Sequence, residues 1–349
     1  MKRIIIAILL LSFVVGKAQD QEVFSIGSIN ANPGEKVSGK LIVKKGIDKG
    51  SFIPITVIYG GKPGPVLTLN AGVHGTEYVP IIALQRIMQE IKPEDLSGIL
   101  ILVHVANIPS FQGRSVYSNP IDFKNLNRVY PGKAEGTFSE RLAYTLTNEI
   151  ISRSDYYIDL HGGEFNEEML SYLMFYYGCP DADVCRKSKI MAHAMGNRYL
   201  VPLDFVSVMD SLSQYSEYEA MMQGVPAIAV EFGDRGEVDP SVLDFAVNGL
   251  INVIRTIGML EGETFANEHP VYLTDEQSIK SEYDGIFYPL LNKGHYITKG
   301  TLLGFTTDYW GNRIEEFIAP FSGIITHIIL SPVVNKGDGV VTLAKVSDT

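Results

Sequence analysis

Four short apolar runs rich in β-branched residues, at 66–70, 99–105, 156–160 and 227–232, alternate with segments of helical periodicity at 78–91, 139–152, 187–198 and 241–259. A strand that is apolar along its whole length has to be covered on both faces. Amphipathic segments of 12 to 19 residues between such strands supply that cover. The alternation predicts an α/β sheet with helices on both faces. Residues 22–60 read as short strands and turns that lead into it.

The pattern changes after the last long helix. Acidic and turn residues cluster over 261–284 (Glu261, Glu263, Glu268, Asp275, Glu276, Glu282 and Asp284), and no long helix is predicted afterwards. From Gly285 the chain is short strands and glycine turns, with an internal echo between Pro289-Leu-Leu-Asn-Lys-Gly294 and Pro332-Val-Val-Asn-Lys-Gly337. This predicts a small all-β, barrel-like domain whose glycine spacing resembles the biotinyl/lipoyl half-barrel. No lysine lies between Lys299 and Lys336, so a carrier hairpin would have nothing to acylate, and a structural or lid role is expected instead. The expected division is 1–18 export signal, 19–264 catalytic domain and 265–349 β domain.

The first 18 residues are set apart from the fold. Lys2 and Arg3 precede a 13-residue apolar stretch, and Gly16-Lys17-Ala18 places small residues where a signal peptidase cuts. The stretch is too short to span a bilayer comfortably, so cleavage and a periplasmic or secreted product are expected rather than a stable membrane span. The chain has 29 Lys plus Arg against 40 Asp plus Glu, a net charge of −11. Cleavage removes Lys2, Arg3, Lys17 and no acid, leaving −14. An acidic chain without a basic run lacks the cation density that nucleic acid requires. Two cysteines, Cys179 and Cys185, cannot build a disulfide scaffold or a cysteine-based zinc module. Export permits a bridge between them, and two free thiols are the alternative.

Chemistry is concentrated where loops leave strand ends, as open α/β sheets place ligands. His74 and Glu77 stand three apart in a glycine-flanked strand-to-helix turn, and His161 ends the run Asp159-Leu160-His161 before Gly162-Gly163. Two imidazoles and one carboxylate suit a zinc ion with its fourth position left open. A His-x-x-Glu by itself also fits a solvated helix start. Glu231 closes an apolar strand, where a buried acid is costly unless paired or functional; a surface acid just past a strand end is the alternative. Arg114 and Arg128 are of the type that clamps a carboxylate or polarises a carbonyl, though either alone also fits a surface ion pair. Tyr215 and Tyr218 lie in a polar stretch that could reach a substrate or pack ordinarily, and His104 and His193 read as structural.

In chain order, His74-x-x-Glu77, Asn107-x-Pro109, Arg114, Asn125-Leu126-Asn127-Arg128-x-Tyr130-Pro131-Gly132, Asp159-Leu160-His161 and Glu231 closely resemble the succinylglutamate desuccinylase/aspartoacylase family, within the zinc carboxypeptidase-like group. The resemblance runs from about residue 60 to the end. It implies a zinc-carboxypeptidase-like α/β/α sandwich with a mixed sheet, and one zinc per chain held by His74, Glu77 and His161. It further implies Glu231 as the base that activates water and then protonates the leaving amine. Arg114 would stabilise the oxyanion, and Asn127 with Arg128 would hold a substrate carboxylate. One departure is Asn125, where many relatives have Asp; if that position supports a histidine ligand, Asn accepts its N–H without adding charge.

The expected activity is hydrolysis of the acyl-amide bond of a small N-acylated amino acid. A metallocarboxypeptidase acting on peptides such as cell-wall peptides would use the same groups. A non-catalytic binding protein on this scaffold is the third reading. A cleft roofed by the C-terminal module would favour a small substrate, and an open one a peptide. A homo-oligomer is compatible with the sequence.

Overall fold

The computed structural model describes residues 22–209 and 214–347. The expected signal segment, 1–18, lies outside the described residues. In chain order the elements are β1 (Phe24–Ile26), β2 (Ile29–Ala31), β3 (Lys36–Val43), β4 (Ser51–Tyr59), β5 (Lys62–Ala71), α1 (Tyr78–Glu90), β6 (Ser97–Val103), α2 (Ile108–Gly113), α3 (Phe138–Glu149), β7 (Tyr156–His161), β8 (Glu167–Met169), β9 (Tyr172–Tyr177), α4 (Ala182–Met195), β10 (Tyr199–Asp204), α5 (Ser216–Met222), β11 (Ala227–Glu231) and α6 (Pro240–Thr256). The C-terminal strands follow: β12 (Val271–Lys280), β13 (Gly285–Pro289), β14 (Tyr296–Ile297), β15 (Leu302–Thr307), β16 (Arg313–Ile318), β17 (Gly323–Ile329), β18 (Val333–Val334) and β19 (Gly339–Ser347).

The central strands show why their runs are apolar throughout. On β6, Leu100 and Leu102 join the core under α1, α4 and α6, whereas Ile99, Ile101 and Val103 join the core under α3 and α5. Alternate side chains thus feed two cores, one on each face of the sheet, and neither face meets water. Truncating such a leucine to alanine costs ~2–5 kcal/mol, so two cores sharing one sheet make its centre rigid. Helix ends are specified locally. Thr137 and Glu140 form a capping box on α3, and Asp239 caps α6 with Pro240 in its first turn.

Strand order in the main sheet is β14-β17-β19-β12-β10-β9-β11-β7-β5-β6-β4-β3, with β8 attached to β17. Pairing is mixed: β5, β6 and β7 run parallel, as do β7 and β11, while β9 runs antiparallel to β11. A second, antiparallel sheet of β16-β15-β13-β18 packs on the C-terminal arm through Phe287, Leu303, Phe317, Ile325 and Ile328. The architecture is a mixed α/β sandwich with a C-terminal antiparallel β region.

Part of the 261–284 stretch is a strand. Residues 271–280 form the ten-residue strand β12, which pairs parallel to β10 (Tyr199↔Val271, Leu200↔Tyr272) and antiparallel to β19. Charges on its outer positions disguise a strand whose Leu273 is buried against Val201 and Ala344. The expected 264/265 boundary therefore falls in the connection before β12, and the sheet itself continues across it. Both echoed segments end in glycine turns of positive φ, at Gly294 and Gly337. Cys179 and Cys185 are disulfide-bonded. No helix among the described residues is long and apolar enough to cross a membrane.

Candidate metal centre and active site

The carboxyl ends of β5, β7 and β11 lie side by side in the sheet. Beyond β5 the chain turns sharply through Gly72 to Gly75. A Cβ on Gly75 would stand 2.3 Å from the Ser110 carbonyl oxygen, so only glycine lets the loop carry His74 this close to the sheet. Glu77 then occupies the N-cap position of α1 but makes no capping hydrogen bond. Its carboxylate goes to the histidines instead: Oε1 lies 2.6 Å from His74 Nδ1, and Oε2 lies 3.1 Å from His161 Nδ1. A cap contributes ~1 kcal/mol, which this helix forgoes in favour of the site. One donor atom from each of His74, Glu77 and His161 falls within 4.8 Å of the others.

Hydrogen-bond partners settle which imidazole nitrogens are available. His74 Nε2 faces Asn125 Oδ1 at 3.0 Å, and that oxygen also accepts the Asn127 N–H at 2.8 Å, which fixes the amide's orientation. His161 Nε2 faces Asp159 Oδ2 at 2.9 Å. Both partners only accept, so both Nε2 atoms carry hydrogen and both Nδ1 lone pairs converge beside Glu77. Asn125 holds the position where a charged residue was weighed, and it supports His74 as a neutral acceptor. The donor set fits a zinc-like cation.

The electrostatics point the same way. Burial opposes charge on Glu77, but the two imidazoles outweigh it and hold the carboxyl down at about 2. Burial likewise opposes the Asp159 charge, yet His161 and the hydrogen bonds from Ser216 and Asn70 keep its pKa below the usual value. Burial would keep His161 neutral, but Asp159 and Glu77 raise its pKa well above the usual range. A field that favours protons on buried imidazoles also favours a divalent cation between them.

Glu231 stands opposite His161 in the parallel β7–β11 ladder, so the two side chains share one face of the sheet. Its Oε2 is buried without a hydrogen-bond partner among the described residues, and burial pushes its pKa up to about 8 against the pull of His161. Gly162 follows His161; a Cβ there would meet the Phe232 carbonyl oxygen at 2.2 Å, so the two strand ends can only approach with glycine at this point.

These groups line a cavity of about 380 Å³. Asn127 and Arg128 belong to its wall. Asn127 Oδ1 accepts the Ser216 N–H at 2.9 Å, which turns its NH₂ group toward His161 Nε2 at 3.2 Å. The Arg128 guanidinium lies 4.1 Å over the Tyr215 ring and donates to the Asn127 carbonyl. Tyr215 lines the cavity, whereas Tyr218 is fully buried and stacks on Phe205. Arg114 is placed elsewhere. It ends α2 in a left-handed conformation (φ 51°), is exposed, and does not line the cavity. Tyr117, three residues later and also at positive φ, turns its ring in beside His74 and donates its hydroxyl to Glu167. His104 bonds Thr56 and His193 bonds the Asn267 carbonyl, both away from the site.

Several wall residues carried no sequence signal: Tyr117, Glu167, Tyr172, Glu217, Glu276 and His327. Glu276 and His327 come from β12 and β17, so the C-terminal strands close one side of the cavity. Asp159 was visible only as a neighbour of His161; its spacing of two on one strand, facing the same side, was the available clue.

The strand ends of this α/β sandwich gather two imidazoles, a carboxylate and an unpaired glutamate in one cavity, a donor set suited to metal-assisted hydrolysis. Residues 63–257 match the succinylglutamate desuccinylase/aspartoacylase catalytic domain, and the chain belongs to that family. Membership places it among the deacylases that open amide bonds. It is 28% identical over 308 residues to the N-alpha-acetyl-L-2,4-diaminobutyric acid deacetylase of Halomonas elongata, covering 85% of this chain and 87% of that protein. The product-bound ectoine utilization protein EutE (DoeB) from Ruegeria pomeroyi superimposes with a TM-score of 0.81 at 25% identity, over 91% of this chain and 98% of that one. A succinylglutamate desuccinylase from a Silicibacter species gives 0.79 at 25% identity, over 90% and 95%.

Proposed function

We propose that the protein is an exported, zinc-dependent deacylase that hydrolyses the amide bond of a small N-acylated amino acid. The observation that carries this reading is one cavity holding the His74-Glu77-His161 donor set, Glu231 and Arg128 together. His74 Nδ1, His161 Nδ1 and Glu77 would hold the zinc. When bound there, zinc polarises an acyl oxygen and lowers the pKa of water toward about 7. The relative from Halomonas elongata, by its name, removes an acetyl group from an amino acid, which is the same bond class.

The remaining steps belong to the chain's own residues. Arg128, stacked on Tyr215, pairs with the substrate carboxylate, and the Asn127 NH₂ donates beside it. Glu231 takes a proton from the attacking water at its unpartnered Oε2 and delivers it to the departing nitrogen. Water adds across the C–N bond, giving a carboxylate and a free amine. A raised pKa suits a group that must both accept and return a proton near neutrality. Arg114, exposed and off the cavity, has no part in this scheme. The cavity wall supplied by Glu276 and His327 favours a small substrate over a peptide. The Cys179–Cys185 disulfide supports an oxidising compartment.

Zinc-loaded protein assayed against N-acyl amino acids and short peptides tests the reaction. Carboxylate release from N-acyl amino acids is expected; release of C-terminal residues from peptides instead would replace this reading with a carboxypeptidase. Mass spectrometry of protein exported from its full-length chain is expected to show the loss of residues 1–18.

A further inference from the structure

The cavity wall contributed by the C-terminal strands contains two register faults that face each other. On β12, Thr274 pairs with Lys345 and Gln277 with Leu343, so Asp275 and Glu276 together stand against Ala344. Asp275 takes positive φ (47°) to make this β-bulge, and its carboxylate is held by Lys345 at 3.0 Å. On β17, Ile325 pairs with Leu343 and His327 with Thr342, leaving Thr326 as the extra residue. Both bulges abut the same three residues of β19, between 342 and 344.

Their effect follows from strand parity. In a regular strand, residues three apart point to opposite faces. Leu273 packs with Val201 and Leu203, two residues of the cavity wall, so without a bulge Glu276 would point away from it. The inserted residue returns Glu276 to the cavity face. On β17 the same logic keeps Ile325 and Ile328 in one core although they are three apart, and brings His327 into the cavity beside Thr326.

Apart from Glu231, which faces the imidazoles from the end of β11, Glu276 differs from the other acids of the wall. Glu77 is given to the imidazoles, Glu167 is bonded to His327 and Tyr117, and Glu217 is buried against Tyr176. The Glu276 carboxylate is reachable from the cavity and accepts one hydrogen bond, from Thr326 Oγ1 at 2.8 Å. No lysine or arginine pairs with it among the described residues. Burial raises its pKa, with Thr326 and His327 working against the shift. A cavity-facing carboxylate without a cation of its own is complementary to a cationic ligand group and repels an anionic one.

We propose that Glu276 is a specificity-determining residue that reads a side-chain ammonium, so that the substrate class is N-acylated diamino acids. This rests on the deacylase reading above. Arg128 holds the α-carboxylate, the reacting amide lies at the His74-Glu77-His161 set, and the side-chain amine extends to Glu276. A substrate with a second carboxylate in that place meets Glu276 and is excluded.

The test compares Nα-acetyl-L-2,4-diaminobutyrate, Nα-acetyl-L-2-aminobutyrate, which lacks the amine, and Nα-acetyl-L-glutamate. For the zinc-loaded wild type, kcat/KM is expected to favour the first by about 100-fold or more. Glu276→Gln, which keeps an acceptor for Thr326, is expected to reduce that preference roughly 10- to 100-fold, through a raised KM for the cationic substrate. Equal use of cationic and neutral substrates by the wild type, or an equal loss on both in the variant, overturns the proposal. Calorimetric binding of L-2,4-diaminobutyrate and L-2-aminobutyrate gives a readout that needs no turnover. Binding that depends on the amine and on Glu276, without hydrolysis, would retain the subsite and sink the deacylase reading. Hydrolysis of N-acyl amino acids without any Glu276-dependent preference for the amine would do the reverse.

Discussion

The two sides of the cavity are built on different terms. At the ends of β5 and β7 the sheet side presents buried groups that are already tied to one another: each imidazole is oriented by an acceptor behind it, and Glu77 bridges both, while Glu231 at the end of β11 keeps one oxygen for the reacting water. The side made by β12 and β17 presents a carboxylate steadied by one hydroxyl and otherwise open to what enters. Groups that must hold a reacting atom are fixed in advance, whereas the group that selects is left unsatisfied until the right ligand arrives. The first side should therefore govern rate and the second affinity.

The largest effect that could break this contrast is at Glu231. Glu231→Gln is expected to lower kcat by ~10³-fold or more while substrate still binds, checked by steady-state kinetics alongside calorimetry. A loss confined to KM would place Glu231 on the selecting side. Next is the support behind the imidazoles. Asp159→Asn should weaken zinc binding by ~10–100-fold, and Asn125→Asp should strengthen it, both read by competition with a chromogenic chelator. Unchanged affinity in both would mean that the fixed side does not depend on its backing.

A third test concerns stability. Burial and the Asp159 charge raise the Glu217 carboxyl to about 7, against an unfolded value near 4.5. Between those values the folded chain retains a proton that the unfolded chain has lost. Stability is therefore full below the lower value and falls as pH rises toward the upper one, by up to ~3 kcal/mol. Glu217→Gln should remove that slope, so the chelator-treated variant melts above wild type at pH 8 and level with it at pH 4.5. The smallest effect is at Thr326. Thr326→Val deletes the hydroxyl that steadies Glu276 and should raise KM for the diamino substrate by roughly 3- to 10-fold, with kcat and the neutral substrate unaffected.

The contrast also explains what the sequence disclosed. The sandwich was legible because strands covered on both faces are apolar throughout, as β6 and β11 are. His74, Glu77, His161 and Glu231 stood out because each sits at a strand end or a glycine turn, where polar side chains need a reason. Arg114 had the right chemistry, but its side chain's direction is set by the left-handed close of α2, and that depends on the fold. Glu276 and His327 were hidden by the bulges. A one-residue insertion reverses which face a side chain takes, and it becomes visible only once β19 is laid between β12 and β17. The acid-rich 261–284 stretch carried no strand signal because Asp275 and Glu276 interrupt the alternation that would have marked one.

One ladder of hydrogen bonds passes from β10 through β12 into β19 and β17, so no hinge separates the two sides of the cavity. Parting them would mean tearing a sheet. A lid that swings open between turnovers is therefore unavailable at this wall. Length discrimination then acts as a ruler, by the distance from the zinc ligands to a wall that does not retreat.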